Sequence, residues 1–321
     1  MKKRKKLLPI WLVIVIDLAM ISAYTGAFYG LYYVAPRQLE SSGIQIIKSE
    51  ASTTSESLTN SSTDWSAKFA DKFTEEIVSD ENSYSSSDIS IVVDQYTKGS
   101  GKTLVTYYVA DIYVADITCL QSGFANDTYG VGYTDDVLSM DKSLNAILAI
   151  NGDYYGNGGD GVVIRNGELY RSTMSNSDVC VLYYDGTMKT FSANEFDVNQ
   201  AIEDGAYQAW CFGPELLDET GKSMTEFTAD GHVQKSNPRS AIGYYEPGHY
   251  CMVVIDGRQA GYSVGMDLTE FSQLFEELGC SSAYNLDGGK SSEMSFQDAF
   301  VNQPADGGRE VSDCIIIKEV E

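Results

Sequence analysis

The chain has 321 residues, with 22 Lys and Arg against 46 Asp and Glu and a formal net charge of −24. So acidic a surface repels phosphate backbones and anionic lipid headgroups, which excludes nucleic acid as a partner. Only two histidines (His232, His249) and six cysteines without a Cys-x-x-Cys pair are present, so no zinc spacing exists and neither metal nor cofactor is expected.

Residues 1–6, MKKRKK, form a basic head with five cations. Residues 7–35 follow, and from Leu7 to Val34 the only charge is Asp17. That run is long enough to cross a bilayer. A cleavable signal peptide would have a shorter apolar core and a small-residue cleavage site, so the run reads as an uncleaved single-pass anchor in the cell membrane. The basic head places the N-terminus in the cytoplasm and the C-terminal domain outside, an extracellular domain.

Residues 36–88 read as a spacer. Ten of the fifteen residues from Ser49 to Thr63 are Ser or Thr, too polar to bury a core. Trp65, Phe69, Phe73 and Ile77 then recur every four residues, which predicts an amphipathic helix near 64–79. A serine-rich joint, NSYSSSD, leads into a domain over 89–321.

Within that domain the signals are mostly β. Asn166-Gly167 in VVIRNGELYR and Asp185-Gly186 in VLYYDGTMKTF are two-residue hairpin signals. Pro247-Gly248 suits the centre of a type II turn. YCMVVI reads as a strand buried on both faces. MDLTEFSQLFEELG then places Phe271, Leu274, Phe275 and Leu278 on one helical face, with Asp267 and Glu270 as a capping box and Gly279 as the stop. SAYNL is a second short strand. The expected architecture is therefore α+β, a β-rich mixed sheet with a strand-helix-strand crossover, preceded by one N-terminal transmembrane helix.

Parallel strands end on the same sheet edge, so the crossover brings Asp256 and Asp287 to one edge, where α/β crevices bind ligands. A third strand, AILAI, ends in Asn151-Gly152-Asp153. Each Asp beside a glycine is also ordinary turn chemistry; three strand ends of this kind favour a site. NLDGGKSSEM around Asp287 has the look of a P-loop end, but Tyr284 stands where the first glycine is needed and no helix follows, so a nucleotide site is excluded. NGDYYGNGGDG lacks the oxygen spacing of an EF-hand. Cys251 and Cys314 lie in strand-like runs, where buried thiols fit as well as disulfides in an exported domain.

NPRSAIG, VVIDGRQAGYSVGMDLTEFSQLFEELG, NLDGGKSSEM and VNQPADGGREVSDCIII, with NAILAINGDYYG and GVVIRNGELYR upstream, resemble in order the phosphodiester glycosidase family. Its animal member removes N-acetylglucosamine from phosphodiester-linked mannose, and many bacterial members are named exopolysaccharide biosynthesis proteins. The family loop runs Asp-Gly-Gly-Gly-Ser-Ser/Ala-Thr; here Lys290 replaces the third glycine and Glu293 the threonine.

The resemblance implies a hydrolase, a surface-anchored glycosidase acting on sugar-1-phosphodiesters of a cell-surface glycan or exopolysaccharide. An oxocarbenium-like transition state wants a carboxylate, which Asp287, Asp256 or Asp153 supplies, and phosphate leaves as a stable anion. Arg239 can fork onto phosphate oxygens. The amides of Gly288 and Gly289 with the hydroxyls of Ser291 and Ser292 can form an anion nest, beside which Lys290 adds charge or points to solvent. Asn151 can hold sugar hydroxyls or close a turn, and Arg258 with Asp256 is ambiguous, since the two can form an ion pair that shapes the site. The alternative is a non-catalytic glycan-binding or assembly factor of the same fold.

Overall fold

A computed structural model describes residues 9–31, 35–47 and 64–320; the basic head and the Ser/Thr-rich run at 49–63 lie outside the described residues. Helix α1 spans Ile10–Tyr29 and buries no residue. Among the described residues it is the one helix long and apolar enough to cross a membrane.

The architecture is α+β and strand-rich, with helices α2 (Val137–Leu144), α3 (Val198–Glu203), α4 (Gly231–Gln234) and α5 (Leu268–Leu278). A seven-stranded sheet runs in space from Ser282–Asn285 through Arg239–Glu246, His249–Ile255, Val105–Val114, Ile89–Lys98 and Ser83–Ser85 to Val78–Asp80. A five-stranded sheet holds Leu148–Asn151 between Met294–Phe296 and Asp313–Ile317. A six-stranded sheet carries Val163–Arg165 between Glu168–Arg171 and Ala206–Trp210.

His249–Ile255 is buried on both faces, as its unbroken apolar sequence demands. Tyr250, Met252 and Val254 face a core shared with Leu148, Trp210 and Ile315. Cys251, Val253 and Ile255 face the other way, onto Phe271, Leu274 and Phe275 of α5. Helix α5 begins and ends where the sequence directs. Asp267 accepts the Glu270 N–H at 2.8 Å, Glu270 accepts the Asp267 N–H at 3.0 Å, and Gly279 adopts φ 81°. Asp267→Ala removes this reciprocal cap and should cost about 1 kcal/mol in denaturant unfolding. A midpoint unchanged from wild type would show that packing alone sets the helix start.

The crossover joins two parallel strands that are not neighbours. Both His249–Ile255 and Ser282–Asn285 pair antiparallel with Arg239–Glu246, which lies between them. Their C-terminal ends, and with them Asp256 and Asp287, therefore share one sheet edge. The turns also follow local chemistry: Asn166 (φ 52°) and Gly167 (φ 80°) close one hairpin and Gly248 (φ 89°) another.

The helix expected near 64–79 does not form. Residues 66–72 are turns, and Val78–Asp80 is already a strand. Trp65 and Phe69 are buried, packed against the Gly186 and Gly248 turns, whereas Ile77 is exposed. Ser85 Oγ donates to the Lys72 carbonyl and the Thr74 N–H to the Ser86 carbonyl, so the neighbouring hairpin captures the backbone that a helix would use. The spacer is also partly strand: Arg37–Gln38 pairs with Gly130–Val131, and Ile44–Gln45 with Glu168 and Leu169.

Candidate active site

Asp287 follows the strand Ser282–Asn285 and is almost fully buried. Its Oδ1 accepts the Gly288 N–H at 2.9 Å, and its Oδ2 pairs with Arg309 Nη2 at 2.7 Å. Burial pushes its carboxyl above the ordinary range, while Ser291, the Arg309 guanidinium and the Gly288 N–H pull the other way. Arg309 also donates from Nε to Ser291 Oγ at 2.9 Å, and its guanidinium lies 5.3 Å from the centre of the Tyr154 ring. Tyr154 has φ 70° and projects between two anchored residues. Asp153 on one side is paired with Arg165, and the hydroxyl of Tyr155 on the other accepts the Gly130 N–H.

Asp287 opens into a cavity of about 320 Å³ that is also lined by Lys235, Arg239, Arg258, Gly288 and Gly289. Three cations thus line one cavity of an otherwise acidic protein, which makes the local potential more favourable to an anion. Arg258 sits at φ 60°, a conformation that L side chains avoid. Its Nη2 donates to Asn237 Oδ1 at 2.8 Å. Its guanidinium covers Gly289, where a Cβ would lie 3.1 Å from Nη2. Gly289 itself is at φ 72°, so a glycine is needed there twice over. A second cavity of about 510 Å³ adjoins at Phe212 and Val233 and is lined by Asp153, Tyr154, Asn157, Asp160 and Asn176 among others.

The other expected site residues divide. Asp256 shares the sheet edge but not the cavity. Its oxygens accept from Asn302 Nδ2 at 2.8 Å, Tyr262 Oη at 2.7 Å and the Gln303 N–H at 3.0 Å, so it holds the 302–303 segment and does not pair with Arg258. Asp153 lies beside the larger cavity and is bound to Arg165 at 2.8 Å and to the Cys211 N–H at 2.7 Å. Asn151 is fully buried behind the loop, donating to the Asp287 carbonyl at 2.7 Å and accepting from Ser240 Oγ at 2.6 Å. It supports Asp287 and is closed to a sugar.

Arg239 lines the cavity with two of its three guanidinium nitrogens on backbone carbonyls: Nε on Met266 at 3.0 Å, Nη2 on Val233 at 2.5 Å and Lys235 at 2.6 Å. Burial lowers its pKa to about 10. With Nε and Nη2 committed in this way, the fold leaves Arg239 no free fork of the kind expected for a phosphate; Arg258 lines the same cavity with a single side-chain bond, to Asn237. The amide nest is also absent, because the Gly288 N–H serves Asp287 and the Gly289 N–H serves the Pro238 carbonyl at 3.0 Å. Ser291 contacts Arg309 and Asp287, whereas Ser292 Oγ is buried without a partner among the described residues. Lys290 points away from the cavity to Asp306, 2.9 Å from its Oδ2.

Sequence reasoning missed Arg309 and Tyr154. The first lies in ADGGRE and the second in GDYYG, both inside stretches that carry the family resemblance. No spacing ties them to Asp287. No cluster of His, Cys, Asp and Glu suited to a metal occurs among the described residues.

The family model described as phosphodiester glycosidase matches residues 144–318, more than half of the chain, and the chain belongs to that family. A curated relative, the SPbeta prophage-derived uncharacterized protein YomE of Bacillus subtilis (strain 168), is 30% identical over 185 residues, or 56% of this chain. The chain spans only 29% of that protein's length. Among solved structures, the catalytic domain of zebrafish N-acetylglucosamine-1-phosphodiester alpha-N-acetylglucosaminidase, auto-inhibited by its pro-peptide, superposes with a TM-score of 0.56 at 21% identity. It covers 73% of this chain and 83% of that domain. A hypothetical protein from Synechocystis gives 0.55 at 15% identity over 72% of this chain and 62% of the other. These two likenesses show the fold.

Proposed function

We propose that the protein is a surface-anchored hydrolase that cleaves the glycosidic bond of sugar-1-phosphodiesters in a cell-surface glycan or exopolysaccharide. The observation that carries this reading is the Asp287 carboxylate, braced by Arg309 at 2.7 Å and opening on a cavity lined by Arg258 and Lys235. Family membership supports the glycosidase class.

In this reading the diester phosphate enters the cation-lined cavity against Arg258, and the anomeric carbon comes to rest beside Asp287. As the C1–O bond lengthens, positive charge grows on the sugar ring and negative charge on the departing phosphate. Asp287 stabilises the first and Arg258 the second. The phosphate monoester leaves as a stable anion and needs no strong general acid; water adds to the anomeric carbon and gives up a proton to solvent, releasing the free sugar. Arg309 and Ser291 favour the ionised form of Asp287, against the burial that raises its pKa.

Helix α1 supports anchoring, with the domain outside the membrane and the basic head within. Protease added to intact cells should then digest the domain; complete protection would reject this orientation. For the chemistry, the full chain in detergent should release free sugar from at least one member of a panel of methyl phosphodiesters of N-acetylglucosamine, glucose and galactose. Failure on every member would reject the reading. Arg258→Lys keeps the charge but loses the fork, and KM should rise about tenfold, roughly 1.4 kcal/mol, with a smaller fall in kcat. An unchanged KM would remove Arg258 from the phosphate contact.

A further inference from the structure

The two positions at which the Asp287 loop departs from the family pattern both bond to the segment that carries Arg309. Lys290 Nζ meets Asp306 Oδ2 at 2.9 Å, and Glu293 Oε1 accepts the Arg309 N–H at 3.0 Å. Glu293 Oε2 reaches the N–H of Val137, the first residue of α2, at 3.4 Å. Between the two anchor points stand Gly307 and Gly308, at φ 83° and 88°, the most pliable dipeptide of the segment. A Cβ on Gly308 would overlap Glu293 Oε1, so the glycine is what lets the carboxylate approach.

Arg309 needs such a hold. Its side chain is 42% exposed, so packing alone does not select its rotamer, yet it must meet Asp287 at 2.7 Å and stack on Tyr154. We propose that Glu293, backed by Lys290, is a positioning residue: the pair clamps the backbone on both sides of Gly307-Gly308 and so aims the Arg309 guanidinium at Asp287. This rests on the reading of Asp287 as the acting carboxylate. In this account Lys290 and Glu293 replace the family's small residues without loss of the site, because they supply its second loop with an anchor.

Glu293 also touches α2, so a purely structural role must be separated from a positioning one. With any sugar-1-phosphodiester that the wild type turns over, Glu293→Gln should lower kcat at least tenfold and leave KM within about twofold. In an Arg309→Ala background the same change should cost less than twofold, because the clamp acts only through Arg309. An equal loss in both backgrounds would overturn the proposal. Lys290→Ala removes an exposed partner, endangers folding least, and should give a smaller loss of about threefold; no loss would remove Lys290 from the clamp. A readout free of turnover is the NMR signal of the Arg309 Nε–H in the full chain. It should be sharp and solvent-protected in the wild type and broadened in Glu293→Gln; an unchanged signal would overturn the proposal even if no substrate is found.

A separate observation concerns Cys251 and Cys280. Both are buried, with their sulfurs 3.7 Å apart, one on the central strand His249–Ile255 and the other just beyond α5. Gly243 makes the room, since a Cβ there would lie 2.6 and 2.9 Å from the two sulfurs. We infer that this pair forms a disulfide when the chain folds in an oxidising compartment, closing the crossover that sets Asp287. A low-molecular-weight disulfide such as oxidised glutathione serves as oxidant. One protein thiolate attacks it to give a mixed disulfide and one glutathione thiol, and the second cysteine displaces the other glutathione; the protein loses two electrons and two protons. The full chain refolded with oxidised glutathione should, after denaturation, show four alkylatable cysteines and a Cys251–Cys280 peptide by mass spectrometry. Six alkylatable cysteines, or a bridge between other residues, would overturn the inference.

Discussion

Asp287→Asn should lower kcat by at least about 100-fold, on the order of 3 kcal/mol, with KM changed little. Asparagine keeps the shape and can still accept from the Gly288 N–H, which the carboxylate binds at 2.9 Å. What it loses is the charge opposite a developing cation, and that charge matters more in the transition state than in the bound substrate. The variant also leaves Arg309 without its anionic partner at 2.7 Å, so its melting temperature must be compared with wild type first. Near-normal turnover in a correctly folded variant would remove Asp287 from the catalytic role and leave Asp153, beside the adjoining cavity, as the better candidate.

The largest effect on stability is expected at Arg165. Its guanidinium is fully buried, 2.8 Å from both Asp153 and Asp313, and donates to the carbonyls of Ile164 and Ala209. Burial pushes the Asp313 carboxyl up, against the pull of the Arg165 guanidinium. Arg165→Ala leaves the buried Asp153 and Asp313 carboxyls without their counter-charge and shared donor, so that they must take up a proton or stay unpaired, and should cost about 3–5 kcal/mol. For a domain of this size that lowers Tm by about 10 °C, measurable by circular dichroism. A fall of less than about 3 °C would show that water or rearrangement replaces the arginine. The ion triad also anchors Asp153, and through it the neighbouring Tyr154, so the surviving fraction should turn over more slowly.

Much of the frame can be read from residues that act locally. Asp267, Glu270 and Gly279 cap α5 by contacts within one turn of themselves, and Asn166-Gly167 needs only its own backbone preference to close a hairpin. Strand, helix and strand then fix Asp256 and Asp287 on one edge. The site is less legible because Asp153, Asp256 and Asp287 look alike in sequence: each is an aspartate near glycine at a strand end. Their partners differ, and those partners come from elsewhere. Arg165 arrives from a different sheet, Asn302 and Gln303 from the loop after the last hairpin, and Arg309 from a segment that is neither helix nor strand.

Arg239 illustrates the same limit. Nothing in NPRSAIG says that its guanidinium will be consumed by the carbonyls of Val233, Lys235 and Met266. The Trp65, Phe69, Phe73 and Ile77 stripe misleads for a related reason. A four-residue apolar period suits a helix, but two aromatic anchors docking on glycine turns satisfy its first half, and the hairpin that follows takes the rest of the backbone. Tertiary partners override the local period there.

Isotopic oxygen shows which bond of the diester breaks. The full chain should be given a sugar-1-(methyl phosphate) that it turns over, in water enriched in oxygen-18, and the phosphate product examined by mass spectrometry. Cleavage at the anomeric carbon leaves the bridging oxygen on phosphorus, so methyl phosphate should carry no label from water. Label in the phosphate product would place the attack on phosphorus and contradict a glycosidase acting through Asp287.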